Sequence, residues 1–127
     1  MSSFSDYLET ELLDHVFANN AYTAPTTIYC ALYTAAPSDA GGGTEVTGGS
    51  YARQSMAFSV TGDTASNTAQ VAFPTATADW GTVTHVGLFD ASTSGNLLAW
   101  GELTSSKLVE TGDIFRIAAG DLDITLA

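Results

Sequence analysis

Apolar residues recur every four positions only near the start of this chain, at Phe4, Leu8, Leu12 and Val16, with Leu13 and Phe17 alongside. Such a stripe forms one face of an amphipathic helix and predicts a helix over about residues 4–18. Ser3, followed three positions later by Asp6, has the spacing of a capping arrangement, with a carboxylate replacing the usual Glu. Asp6, Glu9 and Glu11 crowd the first half, where the positive end of the helix dipole favours them. Asn19-Asn20 tolerates the left-handed conformation that ends helices.

After Pro25 the period changes to two. Ile28-Tyr29-Cys30-Ala31-Leu32-Tyr33 reads as a strand closed by Pro37-Ser38-Asp39, and Ala52, Gln54, Met56, Phe58 and Val60 alternate with Tyr51, Arg53, Ser55, Ala57 and Ser59. Further short strands are expected at Val71 to Phe73, Val83 to Phe89, Leu97 to Leu103, Leu108-Val109, Ile114 to Ala118 and Leu122 to Leu126. About eight short strands separated by turn clusters imply an antiparallel β-sandwich, jelly-roll-like, preceded by one N-terminal helix. The helix does not alternate with strands, which argues against a parallel βαβ fold. No internal repeat and no domain boundary is visible, so residues 1–127 read as a single domain. Gly41 to Gly49 reads as a polar, mobile, glycine-rich loop that buries little. Trp80, Gly81 and Gly87 suggest close approach of backbones around a large aromatic, in a stretch that joins Leu97 to Trp100 through a Gly/Ser/Thr turn.

Charge narrows the partners. Asp and Glu number 14 against 3 Lys and Arg, for a net charge of −11. Arg53, Lys107 and Arg116 are isolated in sequence, so the clustered cations that nucleic-acid binding needs are missing. The same charge favours solubility. No apolar run is long enough to span a membrane, and Met1 to Asp6 has neither the basic nor the apolar region of a secretory signal. Cys30 is the only cysteine, which excludes an internal disulfide and fits folding in a reducing cytoplasm.

Candidate chemistry is sparse. Gly48-Gly49-Ser50-Tyr51-Ala52 approaches a nucleophile elbow, but Ala52 replaces the final glycine and a strand pattern follows where a helix is needed. The triple glycine lacks the Gly-Lys-Ser/Thr of a phosphate loop. His15 lies beside the helix stripe, and His85 inside a strand reads as a hydrogen-bonded structural residue. With Cys30 these distant histidines supply no zinc ligand set. Asp113, Asp121 and Asp123 offer oxygens for a hard cation, although Gly112-Asp113 and Gly120-Asp121 are ordinary turn dipeptides. The reading is therefore no catalytic residue, no cofactor, no metal and no enzyme.

Ser5-Asp6-Tyr7-Leu8-Glu9, Leu13-Asp14-His15-Val16-Phe17, Ala21-Tyr22-Thr23-Ala24-Pro25, Gly41-Gly42-Gly43-Thr44-Glu45-Val46 and Tyr51-Ala52-Arg53-Gln54 resemble a family of short tailed-bacteriophage virion proteins. Ala78 to His85 and Gly95 to Gly101 share the resemblance, which covers almost the whole chain in order. Proteins of that kind often carry tail-fibre labels, and similar small β-sandwiches serve as capsid cement or decoration proteins. The resemblance implies a structural virion protein made in the host cytoplasm, with capsid cement on the outer surface of the head as the leading role. Its partner would then be the major capsid protein. The alternative is a tail or fibre component that binds host-surface glycans, with Trp80, Trp100 and the tyrosines as stacking platforms. The candidate interface is Phe4, Leu8, Leu12, Val16, Tyr22 and Tyr51, with Tyr29 and Tyr33 as further exposed aromatics. A closed homo-oligomer, dimer or trimer, is expected from capsid symmetry.

Overall fold

The computed structural model describes residues 3–126; Met1, Ser2 and Ala127 of the single-domain expectation lie outside them. Among the described residues one helix and eleven strands follow in the order β1 (Ser3–Phe4), α1 (Asp6–Phe17), β2 (Ile28–Ala35), β3 (Thr44–Glu45), β4 (Gln54–Met56), β5 (Phe58–Thr61), β6 (Thr64–Asn67), β7 (Val71–Ala72), β8 (Gly81–Phe89), β9 (Leu97–Val109), β10 (Arg116–Ile117) and β11 (Asp123–Thr125). The fold is mainly β and every pairing is antiparallel. The largest sheet runs β1-β9-β8-β2-β3 with β4 also on β2, while β7 pairs β10 and β6 lies between β5 and β11.

The spine of the fold is β2, β8 and β9. Cys30 and Leu32 of β2 stand opposite Leu88 and Val86 of β8, and Ala99 of β9 is opposite Leu88. These side chains join Met56, Val71, Phe73, Phe115, Ile117 and Leu122 in the main core, so the small sheets and their loops cover one face of the large one. The alternate residues Ala31, Tyr33, Phe89 and Leu97 form a second cluster, with Trp100 packed against it. Burial on both faces explains the unbroken apolar run in β2, since each large side chain removed from water contributes roughly 1.5–3 kcal/mol. Gly87 sits within the second cluster, where a Cβ would lie 2.8 Å from Tyr33 Cε1 and 3.1 Å from Leu97 Cδ1. The expected approach of backbones around Trp80 is not what occurs here: Gly87 is covered by side chains, Gly81 meets only Thr34 Cγ2 at 3.7 Å, and the glycine lying against Trp80 is Gly49.

Two further expectations change. The helix cap is Ser5, not Ser3: Ser5 is buried and its Oγ accepts from Leu8 N–H at 3.1 Å. Backbone pairing of Ser3 and Phe4 with Trp100 and Ala99 takes the preceding residues into a strand, which forbids a cap there. At the other end Asn19 adopts φ +57°, as its sequence suggests, and the Ala18 and Asn20 N–H groups both reach the Asp14 carbonyl. The glycine-rich segment buries little, as expected, with Val46 its one buried residue, but it is held against its neighbours. A Cβ at Gly43 would meet the Pro37 nitrogen at 2.7 Å, and Val46 is buried with its N–H on the Leu32 carbonyl. Gly49 lies against Trp80, whose Nε1–H donates to the Gly49 carbonyl at 3.0 Å. Glycine here permits close contact with neighbouring elements.

Buried Asn67 closes the smaller sheets. Its amide donates to the Ala69 and Ala118 carbonyls at 2.9 and 3.0 Å, and its Oδ1 accepts from Leu122 N–H at 2.9 Å. Three partners satisfy most of what this amide offers.

Candidate functional site

The sequence stripe of α1 separates into two parts. Phe4 is half-buried and packs on the main core, and Leu8 and Leu12 are half-buried. Beyond them Leu13, Val16 and Phe17 are 59%, 64% and 82% exposed, and no residue of the helix is buried. An amphipathic helix normally hides its apolar face; this one is tethered at its start, where Ser5 N–H donates to the Leu98 carbonyl and Asp6 N–H to the Asp39 carbonyl. With Phe4 and the exposed Leu126 beyond β11, the face forms an open apolar cleft of about 820 Å³, and Glu9 lies on its rim.

The tyrosines divide differently from expectation. Tyr22 is half-buried, with its ring 6.5 Å from that of His15 at the end of the helix. Tyr51 is no surface anchor. Its ring stacks on Phe73 and meets the edge of Trp80, its hydroxyl donates to Glu45 Oε2 at 2.6 Å, and it accepts from Leu32 N–H at 3.0 Å. Tyr33 is buried in the second cluster, Tyr29 is half-buried, and Trp80 is buried as well. Trp100 is half-buried, with Nε1–H donating to Asp39 Oδ1 at 2.8 Å. Apolar body outweighed phenol in these placements, because the core needed large rings. The structure thus brings Phe4, Leu12 and Val16 together in one cleft and leaves Tyr51 half-buried against the main core.

Sequence reasoning overlooked the network beneath the glycine-rich segment. Arg53 donates Nε–H and Nη2–H to the two oxygens of Glu45, each at 2.9 Å, and Nη1–H to the Ala91 and Ser94 carbonyls at 3.0 and 2.8 Å. Its guanidinium lies 3.7 Å over the Phe89 ring. Burial alone would raise the Glu45 pKa, but the hydrogen bonds from Arg53 and Tyr51 outweigh it and hold the carboxyl below its ordinary value. Burial and the bond to Glu45 push the Tyr51 hydroxyl far up. Arg53, Glu45 and Tyr51 bond one another and the Leu32, Ala91 and Ser94 backbone, which makes this a clasp between β2, β3, the β4 approach and the β8–β9 turn. The single clue in the sequence was an arginine in an acidic chain.

The candidate catalytic groups stay apart. Ser50, at φ +67°, is exposed and its Oγ faces Thr77 Oγ1 at 3.0 Å, with neither histidine among its partners. His85 Nδ1 pairs with the neighbouring Thr84 hydroxyl at 2.8 Å, and His15 Nδ1 donates to the Asn20 carbonyl at 3.0 Å. Burial raises the Cys30 thiol to about 12, so it carries no thiolate near neutrality. Asp113 Oδ2 accepts from Glu110 N–H and Asp123 from the Ser66 hydroxyl, so two of the three tail carboxylates serve turn and strand. The acidic oxygens that do converge are on Asp6, Glu9 and Asp39, all within 4.8 Å of one another, and no alternation or spacing in the sequence links Asp39 to the helix. Among the described residues, no helix is long and apolar enough to cross a membrane.

A protein-family model described as Podophage GP4 fiber I protein gp80 matches residues 3–125. No curated protein matches the chain.

Proposed function

The chain belongs to the podophage GP4 fiber I protein gp80 family, and we propose that it is a small structural subunit of a podophage tail fibre, held on the virion through the exposed face of α1. The observation that carries this reading is a helix with no buried residue. A strand-built core that closes without the helix leaves its apolar side chains for another surface. Interior clasps such as Arg53–Glu45 keep the scaffold rigid, and a rigid scaffold loses little entropy on docking.

Self-association belongs to the same reading. Val60 and Leu108 are the exposed large apolar residues away from the helix face, and they are the contacts we assign to a dimer or trimer.

One observation favours the head instead. The strands of the described residues close around one main core, a compact module of the kind that seats on a shell surface. Capsid cement on the major capsid protein is therefore the second reading. Two measurements on purified particles separate them: copies per virion, and the behaviour of particles lacking the protein. A small copy number with failed adsorption to host cells is expected. Hundreds of copies, with heads that burst on heating when the protein is missing, would replace the fibre reading with the cement one. Host-glycan stacking gains no support from Trp80, which is buried.

A further inference from the structure

We infer that the α1 cleft docks onto a partner surface built as an apolar ridge flanked by lysine or arginine, and not onto a second copy of this chain. This rests on the virion reading above and specifies the chemistry of the contact.

The apolar part is Leu13, Val16 and Phe17 of α1 with Leu126, each more than half exposed. Around it the charge has one sign. Helix α1 carries Asp6, Glu9, Glu11 and Asp14, with His15 its only basic side chain. Glu9 stands on the cleft rim, and its carboxylate shares a space of 4.8 Å with those of Asp6 and Asp39. Among the described residues none of these is in a salt bridge, since the one ion pair is Arg53–Glu45. Lys107 and Arg116, the remaining cations, line a different groove on β9 and β10.

Like charges gathered without counter-charges repel one another, and a second copy packed face to face would double that repulsion. Among the described residues its lysine and arginine side chains cannot help, because Lys107 and Arg116 line the other groove and Arg53 is held by Glu45. A partner with basic side chains beside an apolar ridge relieves the repulsion and fills the cleft in one step. The same complementarity steers the encounter, so attachment should be fast at low salt and slower as ions screen it.

The test uses particles from a phage lacking the protein, and purified full-length protein added back to them. Two variants are compared with the unmodified chain: Leu13→Ser/Val16→Ser/Phe17→Ser, which removes exposed apolar surface, and Asp6→Asn/Glu9→Gln, which removes rim charge. Melting temperature is measured for each, and exposure predicts that both stay folded. The apolar variant is expected to rebind at least about a hundredfold more weakly at all salt concentrations. The charge variant is expected to bind about tenfold more weakly at 0.05 M salt and equally at 0.5 M. Equal rebinding by all three proteins overturns the proposal while leaving the virion reading intact. Failure of the unmodified protein to rebind sinks both. Sedimentation of the isolated chain adds a further arm: an oligomer that the apolar variant alone dissolves would make the second copy the occupant and overturn the inference.

Discussion

Replacing Arg53 with methionine tests the clasp most sharply. Methionine keeps much of the aliphatic stem but removes the guanidinium over Phe89 and with it four hydrogen bonds: two to Glu45, one to the Ala91 carbonyl and one to the Ser94 carbonyl. The side chains of the pair are 9% and 24% exposed, so Glu45 keeps some contact with water but loses its counter-charge. Breaking a fully buried pair by removing one partner costs about 3–5 kcal/mol; partial exposure of Glu45 brings the expectation to roughly 2–4 kcal/mol. In a chain this size that corresponds to a fall in melting temperature of about 7–14 °C. The effect must depend on pH. In the native protein the lowered Glu45 pKa contributes stability that is present above the unfolded carboxyl value and is lost as pH falls through the folded one. Without Arg53 that contribution shrinks, so the gap between native and variant proteins should be widest near pH 7 and narrow below about pH 4. Urea melts at pH 7 and pH 3.5 measure it. A loss under about 1 kcal/mol at pH 7, or the same loss at both pH values, would refute the clasp as a stabilising device.

Gly87→Ala should destabilise by about 1–3 kcal/mol through overpacking, because its Cβ would lie 2.8 Å from buried Tyr33, and thermal melts measure this. Alkali should unfold the protein. Cys30 and Tyr33 are each raised to about 12 by burial, so their stabilisation is complete below the unfolded values near 9 to 10 and declines above them by about 1.4 kcal/mol per pH unit for each group. A flat melting temperature between pH 8 and pH 11 would contradict this. Asn67→Ala strands the Leu122 N–H and the Ala118 carbonyl, and should cost roughly 2–4 kcal/mol in the same melts.

Legibility in the sequence followed the length over which a pattern repeats. The four-residue period of α1 and the long apolar runs of β2, β8 and β9 are each sustained enough to mark an element, and each is in the structure. Among the described residues β1 and β3 have two residues apiece, too few for any period to register, and β6 is a polar Thr-Ala-Ser-Asn run with no apolar alternation; with the expected Tyr51 to Val60 strand divided into β4 and β5 and the Leu97 and Leu108 segments continuous in β9, the eight expected strands become eleven. Strand order was not readable either, since β9 takes its sequence neighbour β8 on one side but β1, from the other end of the chain, on the other. The Ser5 cap was missed for a related reason: pairing of Ser3 with Trp100, almost a hundred residues away in sequence, decides where the helix can begin.

The candidate site shows the same division in a more useful form. Periodicity identified which residues of α1 are apolar, but an apolar stripe reads the same whether it seals a core or waits for a partner. The choice was made by residues elsewhere: Val71, Phe73, Phe115 and Ile117 already cover the face of the large sheet on which a helix would otherwise pack. Once that face is filled, Leu13, Val16 and Phe17 have no core to enter, and they remain in water at a cost that an isolated domain gains nothing by bearing. Tyr51 went the opposite way, because the space between Phe73 and Trp80 accommodates a ring and Glu45 accepts its hydroxyl. The rim charge belongs to a third category. Asp39 reaches Asp6 and Glu9 only because its carbonyl caps the helix start and its carboxylate holds the Trp100 indole. Concentrated negative charge beside the cleft is thus a product of the tertiary fold, and it is this product, more than the stripe itself, that specifies a basic partner.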